Sequence, residues 1–104
     1  MSNLAPPSIR YVVFHTPGPK WQYGVDFREQ EGVRGHVEHY LKFYQQGKLE
    51  LGGPFVLQDA GGMMVATKDV LQAEMGSFAA EDPAVRSGLL LYEIRPWLTA
   101  MEHP

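Results

Sequence analysis

A chain of 104 residues, 44% hydrophobic and 20% charged, holds one small domain with a thin core and not two. Its formal net charge of -3 argues against a general nucleic-acid binder, which carries a basic face. The absence of cysteine removes disulfides, thiol catalysis and cysteine-based metal sites, and fits a reducing compartment.

The first eight residues, MSNLAPPS, read as a loose arm, because Pro6-Pro7 prevents regular pairing. They lack the basic start and apolar run of a signal peptide. No stretch approaches the roughly 18 apolar residues of a membrane span. The expectation is a cytoplasmic protein of one domain, residues 1–104, with neither membrane nor nucleic acid as partner.

IRYVVFH, Ile9 to His15, is β-branched and aromatic and predicts a strand. Thr16 to Gly32 follows as a long irregular connection carrying Trp21, Tyr23 and Phe27. A loop of that length is either a functional lid or is pinned down by its own aromatics. Val33 to Gln46 predicts a helix, with Val33, Val37, Tyr40, Leu41 and Tyr44 forming the apolar stripe and Gly47 stopping it. KLELGG, Lys48 to Gly53, alternates as a strand and ends at Pro54; a turn around Asp59 to Gly62 leads to the strand GMMVATK.

Asp69 with Gln72 three residues later matches a capping box, so a second helix is expected to start there and bury Val70, Leu71, Met75, Phe78 and Ala79. Asp82 and Pro83 give a fresh helix start, and Gly88 a stop. LLLYEIRPWL, Leu89 to Leu98, is the last strand. The order β-α-β-β-α-β predicts an α+β fold of the ferredoxin-like type with an antiparallel four-stranded sheet. Two helices cover one face of such a sheet. The other needs a partner, and a homodimer packed through the sheet faces is expected.

Four kinds of residue can carry chemistry. His36 lies in the first turn of its helix, at the edge of the apolar stripe. The positive end of the helix dipole favours the neutral imidazole there, the form required of a general base. Its plainer reading is a half-buried histidine satisfied by water or a carbonyl. His39, one turn on, makes an H-x-x-H pair, but no third ligand with characteristic spacing accompanies it. No metal is expected, and His39 reads as a solvated residue. Asp82 has a structural role as N-cap, and a carboxylate also orients and charges a catalytic histidine. Gly52-Gly53-Pro54 either bends the strand or lets a ligand approach the backbone. No phosphate-binding loop or nucleophile elbow is present, and no cofactor is expected. His15 ends a strand, where a ligand can sit, without further context.

The run H-V-E-H-Y-L-K-F-Y-Q-Q-G-K-L-E-L-G-G-P, followed by SFAAEDPAVRSGLLLYEIRPW, resembles the two signature blocks of the YciI-like (YCII-related) family. There a helix-opening histidine precedes a glycine by eleven residues, a leucine strand ends in Gly-Pro, and a D-P follows the second helix. The resemblance spans Ile9 to Leu98. It implies a dimeric α+β barrel and a site built on a histidine and an aspartate, here His36 and Asp82, with Gly53-Pro54 at the strand end. His36, eleven residues before Gly47, holds the motif position and His39 does not. A few members resemble lyases acting on chlorinated hydroxyquinones.

The expected function is therefore a small-molecule enzyme of lyase or isomerase type that moves a proton with a His-Asp dyad. The alternative is a non-catalytic ligand-binding or accessory protein on the same scaffold. A haem or metal protein is a third reading drawn from the wider superfamily. The expected pocket is walled by Tyr11, Tyr40, Gly53, Pro54 and Phe55 and lidded by the Trp21 loop. Arg34, near the motif histidine, is expected among the substrate-binding residues with them.

Overall fold

The computed structural model describes residues 4–104; the first three residues of the expected arm lie outside them. Strands β1 (Ser8–Pro17), β2 (Leu49–Pro54), β3 (Gly62–Ala66) and β4 (Leu90–Thr99) form one sheet in the order β2-β3-β1-β4. Every neighbouring pair is antiparallel. With helices α1 (Val33–Gln45) and α2 (Gln72–Ala80) and the short α3 (Pro83–Ser87), this is the ferredoxin-like arrangement expected from the element order.

The register separates two faces. Val13 stands opposite Met64 on one side and Ile94 on the other, so all three side chains share a face. Val13, Met64 and Ala66 meet Tyr40 and Phe43 of α1 and Met75 and Ala79 of α2 in one core cluster. Phe43 and Met75 are buried completely or nearly so, and each contributes roughly 1.5–3 kcal/mol of apolar burial. The opposite face carries Arg10, Phe14, Leu91 and Trp97. Leu91 and Trp97 remain 52% and 48% exposed there. Arg10 is buried on that face despite its charge. It donates to Glu50 of β2 at 2.6 Å and to Glu102 of the C-terminal tail. Those two carboxylates pair the buried charge through its two terminal nitrogens, while Arg10 Nε is left without a partner among the described residues.

Three local expectations change. The second helix starts at Gln72 with Leu71 as its uncapped N-cap. Asp69 lies in a turn before it, because Val70 is buried in the core and its amide reaches back to the Thr67 carbonyl. Of the expected apolar stripe of α1, Tyr40 lies on the core face, and Val37, Leu41 and Tyr44 do not. Tyr40 and Phe43 are buried, whereas Val37, Leu41 and Tyr44 are 49%, 48% and 59% exposed. His39 is half-buried rather than solvated: its Nε2 lies 2.6 Å from the Phe78 carbonyl and its ring stacks on Phe78. It joins α1 to α2.

Candidate active site

Asp82 is the anchor of the site. It is wholly buried because it caps α3, its Oδ1 accepting the Ala84 amide at 2.9 Å. Pro83 at the first helical position and Gly88, at φ 89 as the C-cap, confine α3 to a turn and a half. The second oxygen, Oδ2, is left for His36, whose Nδ1 stands 2.5 Å away. Burial works against charge on Asp82. The His36 hydrogen bond and charge, with the Ala84 amide, outweigh it and hold the carboxyl below its ordinary range. An ionised carboxylate only accepts, so Nδ1 of His36 carries the proton. In the neutral imidazole Nε2 is then bare, and it makes no hydrogen bond among the described residues.

A second pair stands against the first. His15 is 2% exposed and lies on the helix-facing side of β1, next but one to Val13. Its Nδ1 is 3.1 Å from the Leu91 carbonyl and its Nε2 2.8 Å from the Tyr40 hydroxyl. A carbonyl can only accept, so Nδ1 is the protonated nitrogen and Nε2 receives the Tyr40 O–H. Burial, reinforced by the charge of His36, lowers the His15 pKa to about 4, which keeps the ring neutral. Burial and the Asp82 charge raise that of Tyr40. The His15 ring lies edge-on to that of His36, with centroids 4.9 Å apart, and Tyr40 lies edge-on to both.

His15, His36 and Asp82 hold their nearest ligand atoms within 4.8 Å of one another. His36 and Asp82 are at hydrogen-bond distance, whereas His15 Nε2 stands 4.0 Å from Asp82 Oδ2. A metal bound to both His36 and Asp82 holds nitrogen and oxygen about 3.4 Å apart, from bond lengths near 2.1 Å at a tetrahedral angle, against the observed 2.5 Å.

His36, His15 and Tyr40 border a cavity of about 530 Å³ between α1 and the β2–β3 end of the sheet, with Asp82 buried behind His36. Val37, Leu41 and Tyr44 of α1 form one wall, and Gly53, Pro54 and Met64 the other. The long loop supplies Trp21 and Phe27. Trp21 is itself buried with Ala84, Leu89 and Leu90, and its indole N–H donates to Asp59 at 2.7 Å. Asp59, at φ 59, also accepts the Gly24 amide. One carboxylate of the β2–β3 hairpin thus ties the loop to the hairpin. Gly61, at φ 77, lies so close to β1 that a Cβ there would overlap the His15 carbonyl. Only glycine lets the hairpin reach that position.

Of the residues expected to build the pocket, His36, Trp21, Tyr40, Gly53 and Pro54 line this cavity. Tyr11 instead packs against the core cluster. Phe55 borders a smaller neighbouring depression of about 330 Å³. Arg34, with its side chain 91% exposed, points into solvent and pairs with Glu38 one turn on, at 3.3 Å. His15 is the residue that sequence reasoning left without a role. The available signal was its place on the apolar side of β1, where a polar side chain needs a buried partner.

No family model matches the chain, and no curated protein sequence matches it. Among solved structures, it is similar to 5-chloro-2-hydroxyhydroquinone dehydrochlorinase (TftG) from Burkholderia phenoliruptrix AC1100, in complex with 2,5-dihydroxybenzoquinone. The TM-score is 0.62 at 16% sequence identity, over 85% of this chain and 92% of that one. The two chains share a fold.

Proposed function

We propose that the protein is a small-molecule enzyme of lyase or isomerase type, built on the YciI-like scaffold, in which His36 is the general base and Asp82 its orienting carboxylate. The observation that carries this reading is the 2.5 Å His36–Asp82 hydrogen bond, which leaves a bare Nε2 on a largely apolar cavity. Nε2 takes a proton from a substrate carbon or hydroxyl, and Asp82 stabilises the imidazolium that forms. In a lyase, the electron pair of the broken C–H bond becomes a new double bond and a leaving group departs with its own pair, as chloride would. In an isomerase, the same proton returns to another atom. The apolar walls suit a ring-sized substrate and exclude water, which strengthens the dyad. The likeness to a dehydrochlorinase adds weight to the lyase form without transferring a substrate.

The test is a panel of hydroxylated and chlorinated quinols, read by chloride release and by deuterium incorporation from solvent. Turnover in the wild type should fall about 100-fold or more in His36→Ala, the scale of general base catalysis. An undiminished rate in that variant would remove His36 from the role. Compounds that bind without turning over in any arm would instead favour the non-catalytic ligand-binding reading.

We further propose a cytoplasmic homodimer joined through the helix-free sheet face. Leu91 and Trp97, half exposed on that face, support it, and no described helix is long and apolar enough to cross a membrane. Sedimentation should give twice the 11.7 kDa chain mass, and Trp97→Glu should halve it. A wild-type monomer at working concentration would end the dimer proposal.

A further inference from the structure

The His15–Tyr40 pair is not needed by the dyad, yet it is buried, hydrogen-bonded and lodged in the wall of the same cavity. Its chemistry is directional. The Leu91 carbonyl fixes the proton of His15 on Nδ1, so Nε2 can only accept. The Tyr40 hydroxyl must then spend its single proton on His15. Its oxygen keeps its acceptor lone pairs, and no other described residue uses them. Tyr40 therefore meets a cavity ligand as an acceptor. A freely rotating tyrosine would serve as donor or acceptor alike.

We propose that Tyr40, aimed by His15, is the specificity-determining hydroxyl of this site: it accepts a hydrogen bond from a hydroxyl of an aromatic or enolic ring substrate and rejects the corresponding ether. Tyr40 is the substrate contact and His15 a positioning residue behind it. This deepens the reading of His36 as base, because Tyr40 and His36 stand with ring centroids 5.2 Å apart. A hydroxylated ring held by Tyr40 can thereby present a neighbouring proton to Nε2. The selected class is hydroxylated, uncharged and ring-shaped, to suit the apolar walls.

The experiment compares two probes of the same skeleton, hydroquinone and 1,4-dimethoxybenzene, by calorimetric or NMR titration of the full chain. The wild type should prefer the diol by about tenfold or more, the scale of one buried hydrogen bond. His36 offers a second bare acceptor, so the titration is repeated in His36→Ala. There the preference should persist, whether or not His36 proves to be the base. In Tyr40→Phe made in that His36→Ala background the preference should collapse to within about twofold, since the remaining acceptor is gone. His15→Leu frees the Tyr40 proton to donate, so the ether should gain and the preference should shrink. His15→Gln, whose amide oxygen can accept that proton, should restore it. A general loss of stability moves both probes together and leaves their ratio unchanged. Equal binding by the wild type overturns the proposal, as does a preference that survives Tyr40→Phe in the His36→Ala background. Should Tyr40→Phe not fold, the His15 variants decide: a preference unchanged in His15→Leu overturns the positioning role.

Discussion

α1 and α2 lie over the same face of the same sheet, yet one is packed down and the other stands partly off it. Met75 and Ala79 of α2 are wholly buried between α2 and the sheet. α1 is anchored through Tyr40 and Phe43, and turns Val37, Leu41 and Tyr44 toward a cavity instead of toward side chains. The difference originates in the strands beneath. The β2–β3 end is built of Gly52, Gly53, Pro54, Gly61 and Gly62, which bring little side-chain bulk to the space under α1. One half of a repeated β-α-β plan therefore serves as core and the other as container. Both buried pairs of the candidate site sit at the boundary between them.

The sharpest way to probe that boundary is to remove bulk from the solid half. Met75→Ala should destabilise the protein by about 2–5 kcal/mol, because the surrounding core cannot collapse into the space. Chemical denaturation measures it. A loss well under 1 kcal/mol would show that α2 is no better packed than α1.

The second probe uses pH. His15 at the boundary has a folded-state pKa of about 4, against 6.5 for an unperturbed imidazole. Between those values the unfolded chain binds more protons than the native one, so stability is full above about pH 6.5 and is lost as the pH falls through about 4. The loss is on the order of 3 kcal/mol from the size of the shift. Asp82, whose carboxyl is held below its ordinary 3.8, adds its own loss at still lower pH. His15→Gln should flatten the upper part of the curve and leave the lower part. A curve of unchanged slope would mean that His15 is not buried as a neutral ring.

How much of this boundary was legible in the sequence depends on how local the cause is. The D-P start of α3 and the position of His36 are local patterns, and they point to residues the fold brings to 2.5 Å. The element order was readable because each strand and helix announces its own period. His15 was not readable as a partner. It meets Tyr40 across 25 residues and Asp82 across 67, and no spacing rule connects a strand to a helix at such a distance. That the stripe of α1 meets the main core cluster only through Tyr40 was not readable for a related reason. Periodicity shows which residues are apolar together, not whether a core or a cavity lies opposite. His39 was read as solvated because its partner is a backbone carbonyl of α2, which no side-chain pattern reveals. Arg34 was drawn toward the site by sequence proximity to His36, but on a helix two residues apart means opposite sides.

A third probe addresses the loop that contributes Trp21 and Phe27 to the container's wall. Asp59→Gly keeps the backbone freedom needed at φ 59 and removes the acceptor of the Trp21 indole and Gly24 amide. Losing a part-buried hydrogen bond of this kind should destabilise the protein by about 1–2 kcal/mol. In a Trp97→Phe background, where Trp21 is the one remaining tryptophan, its emission should shift toward that of a solvated indole. Unchanged emission would mean that Ala84, Leu89 and Leu90 hold Trp21 without the latch.

The smallest effect on stability should come from the container's own wall. Leu41 is 48% exposed and borders the cavity, so truncating it removes few packed contacts and opens no new sealed void. Leu41→Ala should destabilise the fold by less than about 1 kcal/mol, far from the 2–5 kcal/mol of a core truncation. Its effect on ligand binding should be the larger one. Removing that wall takes away apolar surface worth roughly 25 cal/mol per Å² of contact with a bound ring. Hydroquinone titration of the same protein sample measures this beside the denaturation curve. A variant that loses stability but not affinity would place Leu41 in the core and close the cavity. One that loses affinity but not stability fixes α1 as a helix whose apolar stripe faces a ligand.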